Sequence, residues 1–374
     1  DFYAGLGIIS QMKGIEKDAK RYFELSLEQR LSGKDNLKVI AGYNNIANFY
    51  SITGQHDEAI KYWKKALEIS ETIGDIVQNA RIYNNIGISC FKRRNFDKAI
   101  ENYQKALSIY RTINDVLGIA DVLGNIAEVM IEEFKLGEAY ENISEARKLH
   151  ELARNLDGIC EMDFLLLSLY LNAGNVKNAE LVINKINMEC ANLPKHLLDF
   201  ELAIFEMKKK NFDVAESILT ELEKSEFIRR DRELYLKILI SMLKLNYVSG
   251  KVSILENFSS MLELANDKIS RSMIYFLVAL LYEDKDKTLS FRYLNESINE
   301  LGDEFAEFKW KIYLKIAEYY KSRGIDVKFL QYFGQSLLSF EGLIKRIKLP
   351  EFVRTYVEDI ENEKFYDLMK KLNV

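Results

Sequence analysis

Apolar side chains recur along the chain at spacings of three and four residues, which is the period of one face of an α-helix. In residues 38–52 the apolar positions include Ile46, Phe49 and Tyr50. A polar turn with Gly54 follows, and a second stretch then shows the same helical spacing. This pattern predicts two antiparallel helices joined by a short turn.

The predicted helical hairpin repeats every forty residues. The string YNNI at Tyr43–Ile46 returns at Tyr83–Ile86. Small residues recur at three fixed positions of the repeat, where we expect helices to approach too closely for larger side chains. The three series are Ala19, Ala59, Ala99, Ala139 and Ala179; Ser26, Ala66, Ala106 and Ala146; and Gly7, Ala47, Gly87 and Ala127. Such a repeat predicts an all-α solenoid in which each hairpin packs on its neighbours.

The regularity of the repeat divides the chain into three parts. Residues 1–186 form regular repeats, and residues 187–340 form degenerate ones with larger side chains in the small positions. In residues 341–374 the phase is lost, Pro350 interrupts the pattern, and residues 361–372 again have an amphipathic helical spacing. We therefore expect about nine hairpins, followed by a capping helix that covers the last exposed face.

Composition and charge narrow the classes of function. The formal net charge of −5 argues against a general nucleic-acid binder, and no apolar stretch is long enough to cross a membrane. Cys90, Cys160 and Cys190 lack metal-ligand spacing, so we expect three unpaired thiols in a reducing, cytoplasmic environment. No nucleophile, metal or phosphate-binding motif is present, so we expect no catalysis and no cofactor.

Lysine and arginine cluster in three places. We interpret these clusters as solvated turns and surface positions rather than docking sites. They are Lys92–Arg94, Lys208–Lys210 and the group Lys345, Arg346 and Lys348.

One hairpin carries residues that identify its family. The set Ile46, Ala47, Tyr50, Gly54, Ala59, Trp63 and Ala66 resembles the tetratricopeptide repeat. The resemblance covers nearly the whole chain and is most specific in residues 1–186. The usual closing proline is absent, and the forty-residue period exceeds the common one of about 34. With this longer period, the chain resembles kinesin light chains, the LGN/Pins scaffold, MalT-type regulators and the bacterial Rap/PlcR peptide sensors. The resemblance implies a right-handed superhelix whose first helices line a concave groove.

The resemblance also implies a ligand site on the first helices. A carboxamide offers a donor and an acceptor, so a row of asparagines can pair with the backbone of an extended peptide. The alternative is that these asparagines form hydrogen bonds between neighbouring repeats, and this stays open. The predicted site consists of Asn45, Asn85 and Asn125 in one position, Asn48 and Glu128 one turn later, Arg81 and Asp121 one turn earlier, and Lys92 at the helix end.

The predicted function is that of a binding module. We expect a groove that recognises a protein or peptide and belongs to a larger bacterial regulatory protein, whose effector domain lies upstream of Asp1. One alternative is a structural scaffold of a multiprotein assembly. Another is a Rap-like regulator of a response-regulator pathway. The aromatic-rich second half, residues 275–333, is expected to fill the core and also to offer a surface for self-association.

Overall fold

A computed structural model describes residues 2–33, 35–250 and 258–359 of the chain, and every regular element in these ranges is an α-helix. Twenty helices follow one another within these described ranges. Their bounds are α1 Phe2–Met12, α2 Glu16–Ser32, α3 Asn36–Ile52, α4 His56–Ile73, α5 Ile76–Lys92, α6 Phe96–Thr112, α7 Val116–Glu132, α8 Leu136–Leu152, α9 Leu156–Asn172, α10 Val176–Glu189, α11 Lys195–Lys208, α12 Phe212–Lys224, α13 Glu226–Arg230, α14 Arg232–Ser249, α15 Phe258–Leu264, α16 Lys268–Tyr282, α17 Lys287–Leu301, α18 Lys309–Lys321, α19 Asp326–Ile347 and α20 Pro350–Glu358.

The helices pack as consecutive antiparallel pairs, as the repeat predicts. Contacts within a pair join α3 to α4, α5 to α6 and α18 to α19, and contacts between pairs join α2 to α3 and α4 to α5. We call the earlier member of each pair the first helix and the later member the second helix. The predicted all-α architecture of helix pairs is confirmed.

The turn inside most of the described pairs has the same backbone geometry, whereas the turn between α16 and α17 lacks it. After α3, Gly54 adopts a φ of +74°, and the amide of Gln55 donates to the carbonyl of Tyr50. This is the six-to-one bond of a Schellman ending, which favours glycine because a left-handed φ crowds a Cβ atom. The next pair begins with an aspartate cap: Asp75 accepts from the amide of Gln78 at 3.0 Å.

The small residues lie where the helices touch. The alanines of the first two series are fully buried, with none of their surface exposed. A Cβ added at Gly87 would lie 2.5 Å from the ring of Tyr103, and one at Gly7 would lie 2.6 Å from the ring of Phe23. The prediction of close helix approach at these positions is therefore confirmed.

The described chain divides into two compact units. Unit 1 contains the described residues up to Val129 together with Asn142–Asn155. Unit 2 contains Met130–Glu141 and the described residues from Leu156 onward. In unit 2 a large apolar cluster includes Leu243, Ile274 and Phe308, and most of the aromatic side chains of residues 275–333 pack against it or against one another.

The cysteines depart from the prediction. Cys160 and Cys190 form a disulfide with an S–S distance of 2.08 Å, and Cys90 is a buried free thiol. Cys160 is the fifth residue of α9 and Cys190 directly follows α10. Because the two helices are antiparallel, these positions lie side by side. The expectation of three unpaired thiols is wrong, and the cysteines no longer support the predicted reducing compartment.

The end of the chain is only partly described. α19 runs to Ile347, and α20 begins at Pro350, which suits the first position of a helix because it has no amide hydrogen to satisfy. The predicted amphipathic helix at residues 361–372 lies outside the described residues.

Candidate functional site

The predicted site residues of unit 1 form one polar stripe. Residues at equivalent positions of α3, α5 and α7 share one face, because they are spaced by three or four residues within each helix and by forty residues between helices. Asn48, Arg81, Lys92 and Asp121 are exposed, whereas Asn45, Asn85, Asn125 and Glu128 are half-buried. Three successive first helices thus present side chains that can donate and accept hydrogen bonds.

One asparagine of the stripe bonds to the preceding repeat. The Nδ2 of Asn125 donates to the Oδ1 of Asn84 at 2.9 Å. The first asparagine of the second YNNI string therefore links two repeats. In the first string, the Oδ1 of Asn44 is buried and accepts no hydrogen bond in the described structure. The bond explains why an asparagine precedes Asn85, and it uses only one of the two amide hydrogens of Asn125.

Opposite charges meet at the earlier end of the stripe. Burial raises the pKa of the Tyr110 hydroxyl, while Arg81 lowers it and Asp121 raises it, so both charges lie near this phenol. Crowding by protein atoms raises the pKa of Asp121, with Asp115 adding to the effect, although 57% of the Asp121 side chain is exposed. The Nε2 of the buried His150 lies 3.7 Å from Asp121. A carboxylate held in this way can accept from an amine or an amide of a ligand.

The other end of the stripe is more mixed. Glu128 lies near the buried phenol of Tyr103 and contributes to the raised pKa of that group, whose main cause is burial. Lys92 extends over the ring of Phe91, with its ammonium 5.5 Å from the ring centre. This end therefore offers one carboxylate and one ammonium.

In unit 2 the first helices bring charges together that are distant in sequence. Lys237 of α14 pairs with Glu132, the last residue of α7, at 3.3 Å, and with Glu233 of its own helix at 3.3 Å. Glu201 of α11 forms a hydrogen bond with Ser168 of α9. Glu132, Ser168, Glu201 and Lys237 therefore lie close together in unit 2, and we call the surface that they form the inner face of its first helices.

Glu201 is the most perturbed carboxyl of this inner face. Burial raises its pKa to about 7, against the smaller opposing effects of the Ser168 hydrogen bond and of Lys237, while Glu132 adds to the rise. Its protonation therefore changes near neutral pH. The sequence does not indicate this pKa, because Glu201 and Lys237 lie in the degenerate repeats, where the forty-residue spacing that aligned the predicted site is lost.

Within unit 2, the last described residues of the chain pack against residues that lie far earlier in the sequence. Phe352 packs edge-on against Tyr140 and Tyr170, and Tyr356 packs against Phe134. We call this docked part, Arg346–Asp359, the C-terminal segment. Its attachment to turns so far back in the chain was not predicted from the sequence.

In two of the basic clusters, one residue departs from the predicted surface position, whereas Lys345 and Lys348 are exposed as predicted. The side chain of Lys208 is only 14% exposed and pairs with Asp359 at 2.5 Å, so this lysine is not a solvated turn residue. Arg346 lies over the ring of Phe305 at 3.8 Å and donates to the carbonyl of Glu133 at 3.3 Å. Their partners come from other parts of unit 2, which spacing along the sequence does not reveal.

The described residues lack two features, a cluster of metal ligands and a membrane-spanning helix. Among them, no group of three or more His, Cys, Asp or Glu side chains is placed to hold a metal ion. None of their helices is long and apolar enough to span a bilayer.

Comparisons with known proteins agree with this fold. Two overlapping stretches, residues 38–112 and 78–151, match the tetratricopeptide repeat family. The chain is similar to a Rap protein complexed with competence and sporulation factor, with a TM-score of 0.64, 12% identity, and coverage of 92% of this chain and 98% of that one.

Two further solved structures are similar over most of their length. The Rap conjugation gene regulator of plasmid pLS20, in complex with the Phr* peptide, gives a TM-score of 0.59, 15% identity and coverage of 87% and 96%. The apo form of the quorum sensor NprR from B. thuringiensis gives a TM-score of 0.55 and 15% identity, with coverage of 92% of this chain and 98% of that one. Identities this low establish a shared fold and nothing finer. No curated protein sequence matches the chain.

Proposed function

We propose that this chain, a tetratricopeptide repeat protein with the fold of Rap-type and NprR-type regulators, binds a linear peptide or an extended segment of a partner protein along the first helices of unit 1. The observation that carries the proposal is the polar stripe, which repeats the same side-chain positions on α3, α5 and α7. The chain acts by binding and performs no chemistry of its own.

The stripe suits an extended backbone. Asn45, Asn85 and Asn125 recur at a fixed interval and are half-buried, so each has a defined position yet remains accessible. Each hydrogen bond from such an amide contributes about 0.5–1.5 kcal/mol net, and several together give useful affinity. Arg81 and Asp121 carry opposite charges in equivalent positions and would select the charges or termini of the ligand.

Two solved relatives support this class of ligand. One Rap protein is described as complexed with competence and sporulation factor, and another as complexed with the Phr* peptide. By analogy, we place the present chain in the same class of peptide-responsive regulators.

The test uses peptide binding and stability together. An array of short linear peptides identifies binders of the wild-type protein, and calorimetry then gives the Kd for each variant. Alanine replacement of Asn45, Asn85 and Asn125 together is expected to raise the Kd by about tenfold or more, because it removes hydrogen bonds to the ligand. The Tm should fall only by the effect of losing the single bond between Asn125 and Asn84. The matched control is Gln104→Ala on the exposed face of the second helix α6, which should leave the Kd unchanged.

Two outcomes oppose the proposal. If the triple variant melts at a lower temperature but keeps its Kd, the asparagines form a structural ladder, as the bond between Asn84 and Asn125 already does in one place. If no peptide on the array binds the wild-type protein, the proposed ligand class is wrong.

A further inference from the structure

The C-terminal segment makes specific contacts with turns that lie 182 to 213 residues earlier in the chain. The hydroxyl of Thr355 donates to the carbonyl of Ala173 at 2.8 Å, and the hydroxyl of Tyr356 donates to Glu307 at 2.8 Å. Phe352 and Tyr356 are buried, with 3% and 2% of their surface exposed. The contact therefore combines an apolar centre with hydrogen bonds of fixed direction.

The receiving turn between α7 and α8 departs from the repeat where this segment docks. The turn position that is glycine in the hairpins at Gly54 and Gly174 is Phe134, whose φ of +59° is unfavourable for a bulky residue. Phe134 is nonetheless buried, and its ring packs against Tyr356.

The region that receives the segment departs from the repeat at a second position, which is a glycine. The second residue of α8 is Gly137, which is buried, whereas the equivalent residues of α4 and α6 are the exposed Asp57 and Asp97. A Cβ at Gly137 would lie 3.0 Å from the carbonyl oxygen of Ile347 and 3.2 Å from Leu349. This turn is therefore shaped to receive the chain just before α20.

Charges lie around the rim of the contact. Asp359 pairs with Lys208, at the end of α11, and Lys348 pairs with Glu138. Glu351 accepts from the side-chain amides of Asn175 and Asn178 at 3.4 and 3.5 Å. Within unit 2, the segment thus touches the ends of the first helices α7, α9 and α11, whose inner face carries Glu132, Ser168 and Glu201.

We propose that the C-terminal segment is an internal latch: docked, it holds the first helices of unit 2 closed, and released, it opens their charged inner face to a ligand. This regulation rests on the proposed function, because it governs a first-helix face of the kind that binds peptide in unit 1.

The short length of α20 makes its helical state depend on docking. It has nine residues, and a helix this short is not stable by itself in water, so it forms only while it is docked. Its attachment to α19 passes through Lys348, which has a φ of +61°, and then the extended Leu349. Release of the segment therefore unfolds one short helix and leaves the hairpins beneath it intact.

Gly137→Asp tests the latch without damaging the hairpin that carries it. Aspartate is the native residue at this position of α4 and α6, and an acidic side chain is favourable in the first turn of a helix. Its side chain cannot fit against Ile347 and Leu349 while the segment is docked. The matched control is Arg354→Ala, which alters the exposed side of α20.

Hydrogen exchange of the full chain is the first readout. In Gly137→Asp, the amides of α20 should exchange about tenfold faster or more, while those of α9, α11 and α16 keep their wild-type rates. Arg354→Ala should leave α20 close to wild type. Unchanged exchange in α20 would overturn the proposal. So would faster exchange throughout unit 2, because the segment would then be an inseparable part of the core.

Thiol labelling is the second readout. Ser168→Cys places a reactive group on the inner face, and a small maleimide reports how fast it is reached. Labelling should be about tenfold faster when Gly137→Asp is also present, and an equal rate in both backgrounds would contradict control of access by the latch. Neither readout uses a peptide, so a failure here is distinct from a failure of peptide binding in unit 1.

Discussion

At the scale of single residues, packing in unit 1 depends on positions that admit almost no side chain. Gly87 lies against the ring of Tyr103, whose surface is 1% exposed. Gly118 lies as closely against the ring of Tyr110. Glycine usually weakens a helix, so its presence here is explained by the aromatic side chain of the neighbouring second helix, which fills the space of the missing Cβ.

Gly87→Ala is therefore expected to destabilise unit 1. The added methyl would meet the ring 2.5 Å away, and we expect the free energy of unfolding to fall by about 1–3 kcal/mol. The control is Gly5→Ala in α1, where no atom lies within 4 Å and alanine should stabilise by about 0.5–1 kcal/mol. Urea denaturation measures both. A gain in stability at Gly87 would show that the ring of Tyr103 moves aside at little cost.

At the scale of the element, the hairpin of α9 and α10 differs from its neighbours in having a covalent closure. The disulfide between Cys160 and Cys190 spans 30 residues. Nearby, Asn192 donates to Asp157 at 2.9 Å and joins the same end of the hairpin. By restricting the unfolded chain, a cross-link over a loop of this length stabilises the folded state by about 3–4 kcal/mol.

Reduction is expected to lower the stability of unit 2. Calorimetry with and without dithiothreitol should show a lower Tm for the reduced protein. The double variant Cys160→Ala/Cys190→Ala should be insensitive to the reductant, which makes it the control. Thiol titration of the denatured, unreduced protein should find Cys90 alone. Three titratable thiols would contradict the assignment of the disulfide.

At the scale of the whole molecule, unit 2 has charges on its inner face whose burial makes stability depend on pH. Glu201 binds its proton more tightly in the folded protein than in the unfolded chain, because burial raises its pKa to about 7. Its contribution to stability is therefore fully present below the unfolded value of about 4.3 and is lost as the pH rises through about 7.

Glu201→Gln should remove this dependence. Relative to wild type, the variant is expected to gain about 1–3 kcal/mol of stability between pH 5 and pH 8, because only the wild-type carboxyl becomes charged over this range. The control is Glu221→Gln on an exposed position of α12, which should show no such gain. Denaturant unfolding at the two pH values measures the difference. An equal stability difference at both values would place the Glu201 pKa near its ordinary value.

Some of the site could be read from the sequence, and some could not. Asn45, Asn85 and Asn125 were placed on one face by spacing alone, and their helices have the expected positions. Whether they contact a ligand stays a prediction. The role of Asn84 emerged only from its bond to Asn125, since adjacent residues of a helix point in different directions. Phe134, in place of the usual turn residue, was a signal that an unusual contact occurs at this turn.

What the sequence determined by itself is the repeating hairpin: its helices, its turns and the small positions at which helices touch. These features depend on contacts within a hairpin or between adjacent hairpins, so they leave a regular period in the chain. The tertiary structure alone decided which distant residues meet. Lys237 reaches Glu132 across 105 positions, and Thr355 reaches Ala173 across 182. Such contacts depend on small rotations that accumulate from one hairpin to the next. No local pattern of polar and apolar residues predicts the total rotation between distant hairpins.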